Sequence, residues 1–241
     1  MKMFVAILIA LRLITGAGQA AACQDITFDG SSFTVCSADP AKNNLRLFLS
    51  GDDGALLGTF GNLENHLGPS KVVWAMNAGM YHPDRSPVGL YIEQGRQIAP
   101  IVTRAGPGNF GLLPNGVLCL GANRAAIYET RRFVDGQVLC DFATQSGPML
   151  VIDNELHPRF LPQSDSLNIR NGVGVARDGT LFAAISNNRV NFHHFARLFR
   201  DVLETPNALF LDGSISRLYA PNLSRADPGL PMGPMLGVVA D

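Results

Sequence analysis

Short strands joined by two-residue turns recur along this chain and limit the folds that it can adopt. Such turns are predicted at Asp29-Gly30, Gln94-Gly95, Asp153-Asn154 and Asp178-Gly179, each between two runs rich in apolar residues. These residue pairs tolerate the left-handed backbone that tight hairpin turns require. Because a hairpin pairs antiparallel strands, the pattern predicts that the sheet is mostly antiparallel.

Helical periodicity is rare in the same sequence. One strong helix is predicted at residues 191–204 (NFHHFARLFRDVLE), with Asn191 as its N-cap and Pro206 past its end. A weaker helix is predicted near residues 56–67, and a length of 241 residues suits one domain. The sequence therefore predicts an α+β (mixed α/β) fold: a single domain with a central mixed, mostly antiparallel sheet and few crossing helices.

Residues 1–22 have the features of a signal peptide. Lys2 is followed by an apolar stretch at residues 3–11, and Ala20-Ala21-Ala22 form a small-residue cleavage site. The apolar stretch is too short to span a bilayer, so no transmembrane segment is expected. Ala20 stands where lipoprotein leaders carry a large aliphatic residue, which argues against a lipid anchor on Cys23. We expect export to the periplasm or the extracellular space, with residues 23–241 as the mature domain.

Four cysteines follow the leader, as expected for a protein of an oxidising compartment. They allow three connectivities, of which local pairing, Cys23–Cys36 with Cys119–Cys140, is the simplest. No Cys-x-x-Cys motif occurs, so the sequence supports neither a zinc ribbon nor a thioredoxin-like site.

The charge balance narrows the range of partners. With 19 basic and 20 acidic residues the net charge is −1, so nucleic acid is not expected as a partner.

His193 and His194 are adjacent and miss the spacing of a helical zinc pair. The oxygens of Asp84 and Asp212 leave a divalent cation possible, no other cofactor is indicated, and the oligomeric state is open.

Polar, glycine-rich loops follow several of the predicted strands. They are residues 77–89 (NAGMYHPDRSPVG), 108–117 (GNFGLLPNGV), 146–148 (SGP) and 170–174 (RNGVG). Residues 208–211 form an apolar run that ends at Asp212. Side-chain amides, a guanidinium and exposed backbone N–H groups suit a polyhydroxylated or phosphorylated ligand. Since open α/β sheets bind ligands at strand ends, Asp212 is predicted to face that ligand.

Taken in order, these motifs resemble those of the phosphodiester glycosidase family. The likeness runs from about Leu45 to the C-terminus and is nearest to small exported bacterial members; it rests on NAGMYHPDRSPVGLYI, SGPMLVI, RNGVGVARDG and ALFLDGSIS. The resemblance implies an exported hydrolase that cleaves the glycosidic bond of a sugar phosphodiester. Animal members typically carry a run of glycines after Asp-Gly, which Ser214-Ile215 replace here, so fewer backbone N–H groups are free to hold a phosphate.

The resemblance also implies roles for the matching residues. Asp212 is the predicted acid, base or nucleophile, and Arg170 is the predicted cation that holds the phosphate. Substrate-binding positions are predicted at Asn77, Gly79, His82, Asn115, Ser146, Gly147, Asn171, Gly213 and Ser214. Phosphate is a good leaving group, so less general-acid assistance is needed than in ordinary glycoside hydrolysis.

A second class of function stays open, namely a non-catalytic protein of the cell envelope that binds a carbohydrate or phosphopolymer in the same cleft. Binding modules usually expose aromatic platforms, whereas this chain has one Trp and four Tyr. The composition therefore favours an enzyme that acts on a sugar phosphodiester or an envelope glycan.

Overall fold

The computed structural model describes residues 21–69, 71–212 and 215–240. The predicted signal peptide, up to residue 20, lies outside the described residues, as do the predicted substrate-binding positions Gly213 and Ser214. The first described strand begins at Ala22, at the predicted cleavage site.

The described residues form seventeen strands and three α-helices. In chain order the strands are β1 (Ala22–Phe28), β2 (Ser31–Ala38), β3 (Asn44–Phe48), β4 (Val72–Asn77), β5 (Tyr91–Glu93), β6 (Arg96–Ala99), β7 (Gly116–Gly121), β8 (Arg124–Glu129), β9 (Phe142–Ser146), β10 (Met149–Ile152), β11 (Glu155–Leu156), β12 (Asn171–Val175), β13 (Leu181–Ser186), β14 (Asn207–Phe210), β15 (Leu218–Ala220), β16 (Arg225–Ala226) and β17 (Met235–Val239). The helices are α1 (Phe60–Leu67), α2 (Thr130–Asp135) and α3 (Phe192–Arg197), which a π-helical turn, Leu198–Val202, continues; a 3₁₀ turn spans Pro221–Leu223.

The strands form three sheets, where the sequence predicts one central sheet. Sheet 1 has the order β1-β2-β13-β12-β14-β10-β11, sheet 2 the order β16-β15-β4-β17-β3, and sheet 3 the order β6-β5-β9-β7-β8. Within the described residues every strand pair is antiparallel. The fold is therefore compatible with the predicted α+β class but is dominated by sheets. The prediction of one central mixed sheet is wrong, because the structure has three antiparallel sheets. Apolar runs such as β14 are buried on both faces because sheets and helices cover them, without parallel pairing.

All four predicted hairpin turns are present. Asp29-Gly30, Gln94-Gly95 and Asp153-Asn154 each have positive φ at both residues, and they join β1 to β2, β5 to β6 and β10 to β11. The turn between β12 and β13 carries Gly179 at φ 92°. Local residue choice thus accounts for the pairing of these neighbouring strands.

Helix α3 begins where the sequence predicts, since Asn191 Oδ1 accepts the His194 N–H at 2.9 Å. Phe195 and Phe199 of its predicted apolar face are fully buried. The π-helical turn then adds a residue to the turn and rotates the side chains at its end. Val202 is consequently 44% exposed, although the helical pattern predicts it on the buried face.

Two shorter helices cover the other sheets. Helix α1 begins after Thr59, whose Oγ1 accepts the Asn62 N–H at 3.1 Å, inside the segment of the weaker helix prediction. Helix α2 is absent from the predictions. Its N-cap is Glu129, which accepts the N–H groups of Arg131 and Arg132 at 3.0 Å each; glutamate is not among the usual N-cap residues.

The main apolar core lies between the three sheets. It joins Trp74 and Met76 of sheet 2, Leu118 of sheet 3, and Val173 and Leu209 of sheet 1, all fully buried. Separate apolar clusters fill the space between each sheet and its covering helix, with α3 on sheet 1, α1 on sheet 2 and α2 on sheet 3. The shared core fixes the three sheets relative to one another, so their strand ends can build one site.

The structure contains two disulfides, in the local pairing. Cys23–Cys36 joins directly opposed residues of β1 and β2, and Cys119–Cys140 joins β7 to the segment before β9. None of the cysteines in the described residues is free. Within that part of the chain, none of the helices is long and apolar enough to cross a membrane.

Removal of the second disulfide tests its contribution to stability. The double variant Cys119→Ala/Cys140→Ala opens a cross-link over a sequence separation of 21 residues. Because the unfolded chain gains freedom, the free energy of unfolding should fall by about 3 kcal/mol, measured by equilibrium urea unfolding without reductant. An unchanged free energy of unfolding contradicts the predicted contribution of this disulfide to stability.

Candidate active site at the junction of three sheets

Strand ends from all three sheets collect at one edge of the fold, where Asp212 follows β14. In the antiparallel registers Gly172 lies opposite Phe210, and Met149 lies opposite Leu209, so β12 and β10 begin where β14 ends. Asn77 at the end of β4 lies opposite Met235 at the start of β17. The sequence prediction places Asp212 at a strand end by analogy with open α/β sheets; here the pairing is antiparallel, and the neighbouring strands β10 and β12 start where β14 stops.

Two fully buried asparagines connect sheets 1 and 2 at this edge. Asn171, the first residue of β12, donates from Nδ2 to the Asn77 carbonyl at 3.0 Å. Asn171 Oδ1 accepts the backbone N–H of Asp212 at 3.1 Å. Asn77 Oδ1 accepts the backbone N–H of Arg217 at 2.8 Å. The two amides therefore hold both ends of the loop from Asp212 to Arg217.

Sheet 3 reaches the same loop through Ser146, the buried last residue of β9. Its Oγ donates to the Leu211 carbonyl at 2.5 Å, directly before Asp212. The Phe210 N–H donates to the Pro148 carbonyl at 3.1 Å. The backbone that leads to Asp212 is thus held by Asn171 of sheet 1 and Ser146 of sheet 3, while Asn77 of sheet 2 binds Asn171 and the far end of the loop at Arg217. The structure therefore brings the predicted residues Asn77, Ser146, Asn171 and Asp212 together.

The Tyr81 hydroxyl lies near Asp212, which is 8% exposed. Burial raises the pKa of Tyr81, the Asp212 carboxylate raises it further, and Arg85, Arg217 and the Gly233 N–H oppose this. The Gly233 N–H approaches without hydrogen-bond geometry, so among the described residues this buried hydroxyl has no hydrogen-bond partner.

The Asn77 Nδ2 group is a second buried donor without a partner in the described part of the chain. Buried donors in native proteins are normally paired with protein, water or ligand. Asn77 Nδ2 and Tyr81 Oη are therefore available to hydrogen-bond a bound molecule.

A cleft of about 450 Å³ opens beside the Asp212 loop. Its described lining residues are Asn168, Ile169, Arg189, Ile215, Ser216, Arg217, Pro228, Gly229 and Leu230. Ser216 Oγ donates to the Asp212 carbonyl at 2.9 Å, so Asp212 lies directly behind this wall of the cleft. The described lining contains two arginines and no carboxylate, which makes it positively charged.

Arg217 is engaged in holding the far wall of the cleft. Its Nε and Nη2 donate to the Asp227 carbonyl at 3.0 and 2.8 Å, and its Nη1 donates to the Leu230 carbonyl at 2.6 Å. Burial lowers the pKa of Arg217, and Asp227 acts in the opposite direction. Arg225 binds the Asp227 carboxylate with two hydrogen bonds of 2.9 Å, which extends the support.

Arg170 lies in a different setting from the one that its predicted phosphate role requires. The residue is 1% exposed, its Nε donates to the Val190 carbonyl and its Nη2 to the Ser166 carbonyl, each at 2.8 Å. The Phe192 ring covers the guanidinium, with its centroid 3.6 Å away. Burial lowers the pKa of Arg170 to about 10. These contacts position backbone next to the cleft.

Gly79 and Gly147 are required by close packing. A Cβ on Gly79 would lie 2.4 Å from Thr144 Oγ1 and 2.6 Å from the Gln145 carbonyl, so sheets 2 and 3 could not approach as they do. A Cβ on Gly147 would lie 2.6 Å from Asn115 Cβ. These glycines allow the close packing on which the site is built.

Asn115 has a structural environment as well. Its Nδ2 donates to the Phe110 carbonyl at 3.1 Å, and its Oδ1 accepts from Thr130 Oγ1 at 2.7 Å. The buried amide thus joins the loop before β7 to the start of α2.

His82 and Asp84 lie in an exposed loop beyond Tyr81. Asp84 Oδ1 accepts from Ser86 Oγ at 2.6 Å and from the Ser86 N–H at 3.0 Å, and these hydrogen bonds lower the pKa of Asp84. Within the described residues no three His, Cys, Asp or Glu side chains converge on one point.

A larger cleft of about 740 Å³ lies elsewhere, along β1, β2 and the turn between β12 and β13. It shares no described lining residue with the cleft beside Asp212. The strand ends and buried amides identify the smaller cleft as the candidate site.

Sequence motifs point to neither Arg189 nor Arg217 as a site residue, and Tyr81 is not among the predicted substrate-binding positions, although other residues of its loop are. Tyr81 lies inside the predicted loop of residues 77–89, so its position was visible but its burial was not. Arg189 follows β13 in the polar segment Asn187-Asn188-Arg189, and the only sequence signal is a basic residue after a strand.

The motif resemblance is confirmed by comparison with known proteins. The sequence profile of the phosphodiester glycosidase family matches residues 70–238. A protein of Escherichia coli strain K12, described as uncharacterized protein YigE, is 32% identical over 210 residues, which is 87% of this chain and 81% of that protein.

Solved structures with low sequence identity share the fold. The catalytic domain of zebrafish N-acetylglucosamine-1-phosphodiester alpha-N-acetylglucosaminidase, auto-inhibited by its pro-peptide, matches with a TM-score of 0.63 at 17% identity, over 92% of this chain and 83% of that one. A putative exported protein from Burkholderia pseudomallei matches with a TM-score of 0.54 at 14% identity, over 87% of this chain and 74% of that one.

Replacement of Asn171 tests the hydrogen bonds that connect the sheets. Asn171→Ala leaves the Asp212 N–H and the Asn77 carbonyl without their present partner, so the free energy of unfolding should fall by about 2–5 kcal/mol. Asn65→Ala, at an exposed position of α1, is the matched control and should change the free energy of unfolding by less than about 0.5 kcal/mol. Equal effects of the two substitutions in urea unfolding contradict the account.

The proximity of Tyr81 to Asp212 predicts a linked titration. Because the Asp212 charge raises the pKa of Tyr81, Asp212→Asn should lower that pKa. The ring carbon resonances of labelled tyrosine, followed against pH by NMR, measure the change. Tyr219 is the internal control, since its hydrogen bond to Glu64 raises its pKa to about 12 at a separate place. If Asp212→Asn leaves the Tyr81 pKa unchanged, the Asp212 carboxylate does not lie close to the Tyr81 hydroxyl.

Proposed function

This chain belongs to the phosphodiester glycosidase family, and we propose that it is an exported hydrolase that cleaves the glycosidic bond of a sugar phosphodiester. One observation carries the proposal: Asp212 lies behind the wall of a positively charged cleft, on a backbone that side chains of Asn171 and Ser146 hold. A fixed carboxylate beside an anion-attracting cleft suits a substrate with a phosphate next to a reactive carbon.

The reaction needs one carboxylate and a good leaving group. The bond between the anomeric carbon and the bridging oxygen breaks, and its electron pair leaves on the phosphate. Water attacks the anomeric carbon while Asp212 takes its proton, or Asp212 attacks first and water then hydrolyses the glycosyl ester. Either route yields a free sugar and a phosphate monoester. The stereochemical outcome distinguishes the two routes.

Two donors orient the substrate in this proposal. Asn77 Nδ2 and Tyr81 Oη are buried and have no partner among the described residues. Since its pKa is raised, the Tyr81 hydroxyl is protonated near neutral pH and donates a hydrogen bond. We assign these donors to sugar or phosphate oxygens close to the anomeric carbon.

Arg170 takes a positioning role in the proposal in place of the phosphate-binding role. The Arg170 side chain is 1% exposed, its Nε and Nη2 already donate to the Val190 and Ser166 carbonyls, and the Phe192 ring covers the guanidinium. Such a buried cation supports the backbone of the cleft better than it reaches a phosphate in the cleft. Arg170 instead holds the chain at Val190, at the edge of the cleft.

Export is the second part of the proposal. Residues 1–20 of the predicted signal peptide lie outside the described residues. The sequence pattern therefore supports the signal peptide. Two disulfides are stable in the periplasm or outside the cell and not in a reducing cytosol.

Turnover by an Asp212→Asn variant tests the proposed chemistry. The substrates are a panel of sugar 1-phosphodiesters and envelope glycans, with free sugar as the measured product, with and without chelator. The substitution should lower kcat/KM about 10²- to 10⁴-fold, because the amide neither accepts a proton nor attacks carbon. Asp135→Asn, at the exposed end of α2, is the matched control and should match the wild type.

The same panel separates the enzyme from a binding protein. An Asp212→Asn variant that is folded and fully active overturns the role of Asp212. If the wild type instead binds members of the panel saturably and releases no product from any of them, even with divalent cations supplied, that result establishes the non-catalytic alternative.

A further inference from the structure

The cleft beside Asp212 carries one guanidinium that the fold does not use. Arg217 donates hydrogen bonds to the Asp227 and Leu230 carbonyls. Arg189 also lines the cleft, is exposed, and forms no hydrogen bond or ion pair with any described residue. A guanidinium has five donors in a fixed planar arrangement that matches two oxygens of a phosphate.

The backbone that carries Arg189 is held on both sides. Val190, which is 2% exposed, exchanges hydrogen bonds with Asn168: its N–H donates at 2.9 Å and its carbonyl accepts at 3.2 Å. The same carbonyl accepts from Arg170 Nε at 2.8 Å. On the other side, Asn188 Oδ1 accepts the Ser32 N–H at 2.8 Å. Arg189 is therefore an exposed side chain on a backbone that is held on both sides.

We propose that Arg189 binds the phosphate of the substrate through paired hydrogen bonds, and that Ser216, on the same cleft wall, lies between this phosphate and Asp212. The cleft then binds the anion at Arg189, and Asp212 lies beyond the Ser216 wall, on the side where the reacting carbon would be. This arrangement keeps the negative phosphate away from the Asp212 carboxylate, which would repel it at close range. It also explains why Arg170 is buried: its contact with Val190 sets the position of Arg189.

The inference rests on the proposed function for its substrate, but it predicts anion binding that can be measured without turnover. The first experiment uses inorganic phosphate as the probe, at constant ionic strength. The backbone amide resonances of Asn168 and Ser216 are followed by NMR in the wild type and in three variants: Arg189→Ala, Arg189→Lys and Arg104→Ala. Arg104 is exposed and lies outside the cleft lining, so Arg104→Ala removes the same charge as Arg189→Ala at a separate place.

Phosphate should shift these resonances in the wild type and in Arg104→Ala. Arg189→Ala should weaken phosphate binding roughly 10- to 100-fold, as expected for the loss of charge-assisted hydrogen bonds. Arg189→Lys should recover only part of it, because an ammonium keeps the charge without the paired geometry. Equal affinity in the wild type and Arg189→Ala, or equal loss in Arg189→Ala and Arg104→Ala, overturns the proposal.

The second experiment compares two substrates that share one sugar, a charged 1-phosphodiester and a neutral nitrophenyl glycoside. Arg189→Ala should raise KM for the charged substrate roughly 10- to 100-fold and leave the neutral one within about twofold. Equal effects on both substrates overturn the inference. Phosphate binding that depends on Arg189 without turnover of any phosphodiester contradicts the proposed function alone, whereas turnover that does not depend on Arg189 contradicts this inference alone.

Discussion

The site depends on a few buried hydrogen bonds that connect three sheets at one point. Asn171 of sheet 1 binds the Asn77 carbonyl of sheet 2, and Ser146 of sheet 3 binds the Leu211 carbonyl of sheet 1. Each side chain is fully buried, so an unmade bond here is costly. Apolar packing brings the sheets together, but these polar contacts have direction and therefore fix where Asp212 stands.

The arginines around the site fall into two groups according to their contacts. Arg170 and Arg217 use their donors on backbone carbonyls, so their charges contribute to the field while their hydrogen bonds hold the walls. Arg189 has its donors available. The two arginines give the described lining of the cleft a positive charge, which favours an anion, and the proposed function assigns that anion to the phosphate of a phosphodiester.

The sequence predicts the local features of this fold and only part of its site. Turn residues such as Gln94-Gly95 determine hairpins locally, and the Asn191 cap and the buried strand before Asp212 are equally local signals. The division into three sheets depends on contacts between distant strands, such as Asn77 with Asn171, which no short pattern encodes. For the same reason Arg170 matched a motif while its burial against Val190 and Phe192 stayed hidden, and Arg189 carried no motif at all.

The central claim is that the chain cleaves the bond between the anomeric carbon and oxygen, not the bond between phosphorus and oxygen. Hydrolysis of a sugar 1-phosphodiester in water enriched in oxygen-18 tests it directly, with the position of the label read by mass spectrometry of both products. The account predicts the heavy oxygen in the released sugar and none in the phosphate monoester. Heavy oxygen in the phosphate monoester would identify a phosphodiesterase and contradict the role given to Asp212.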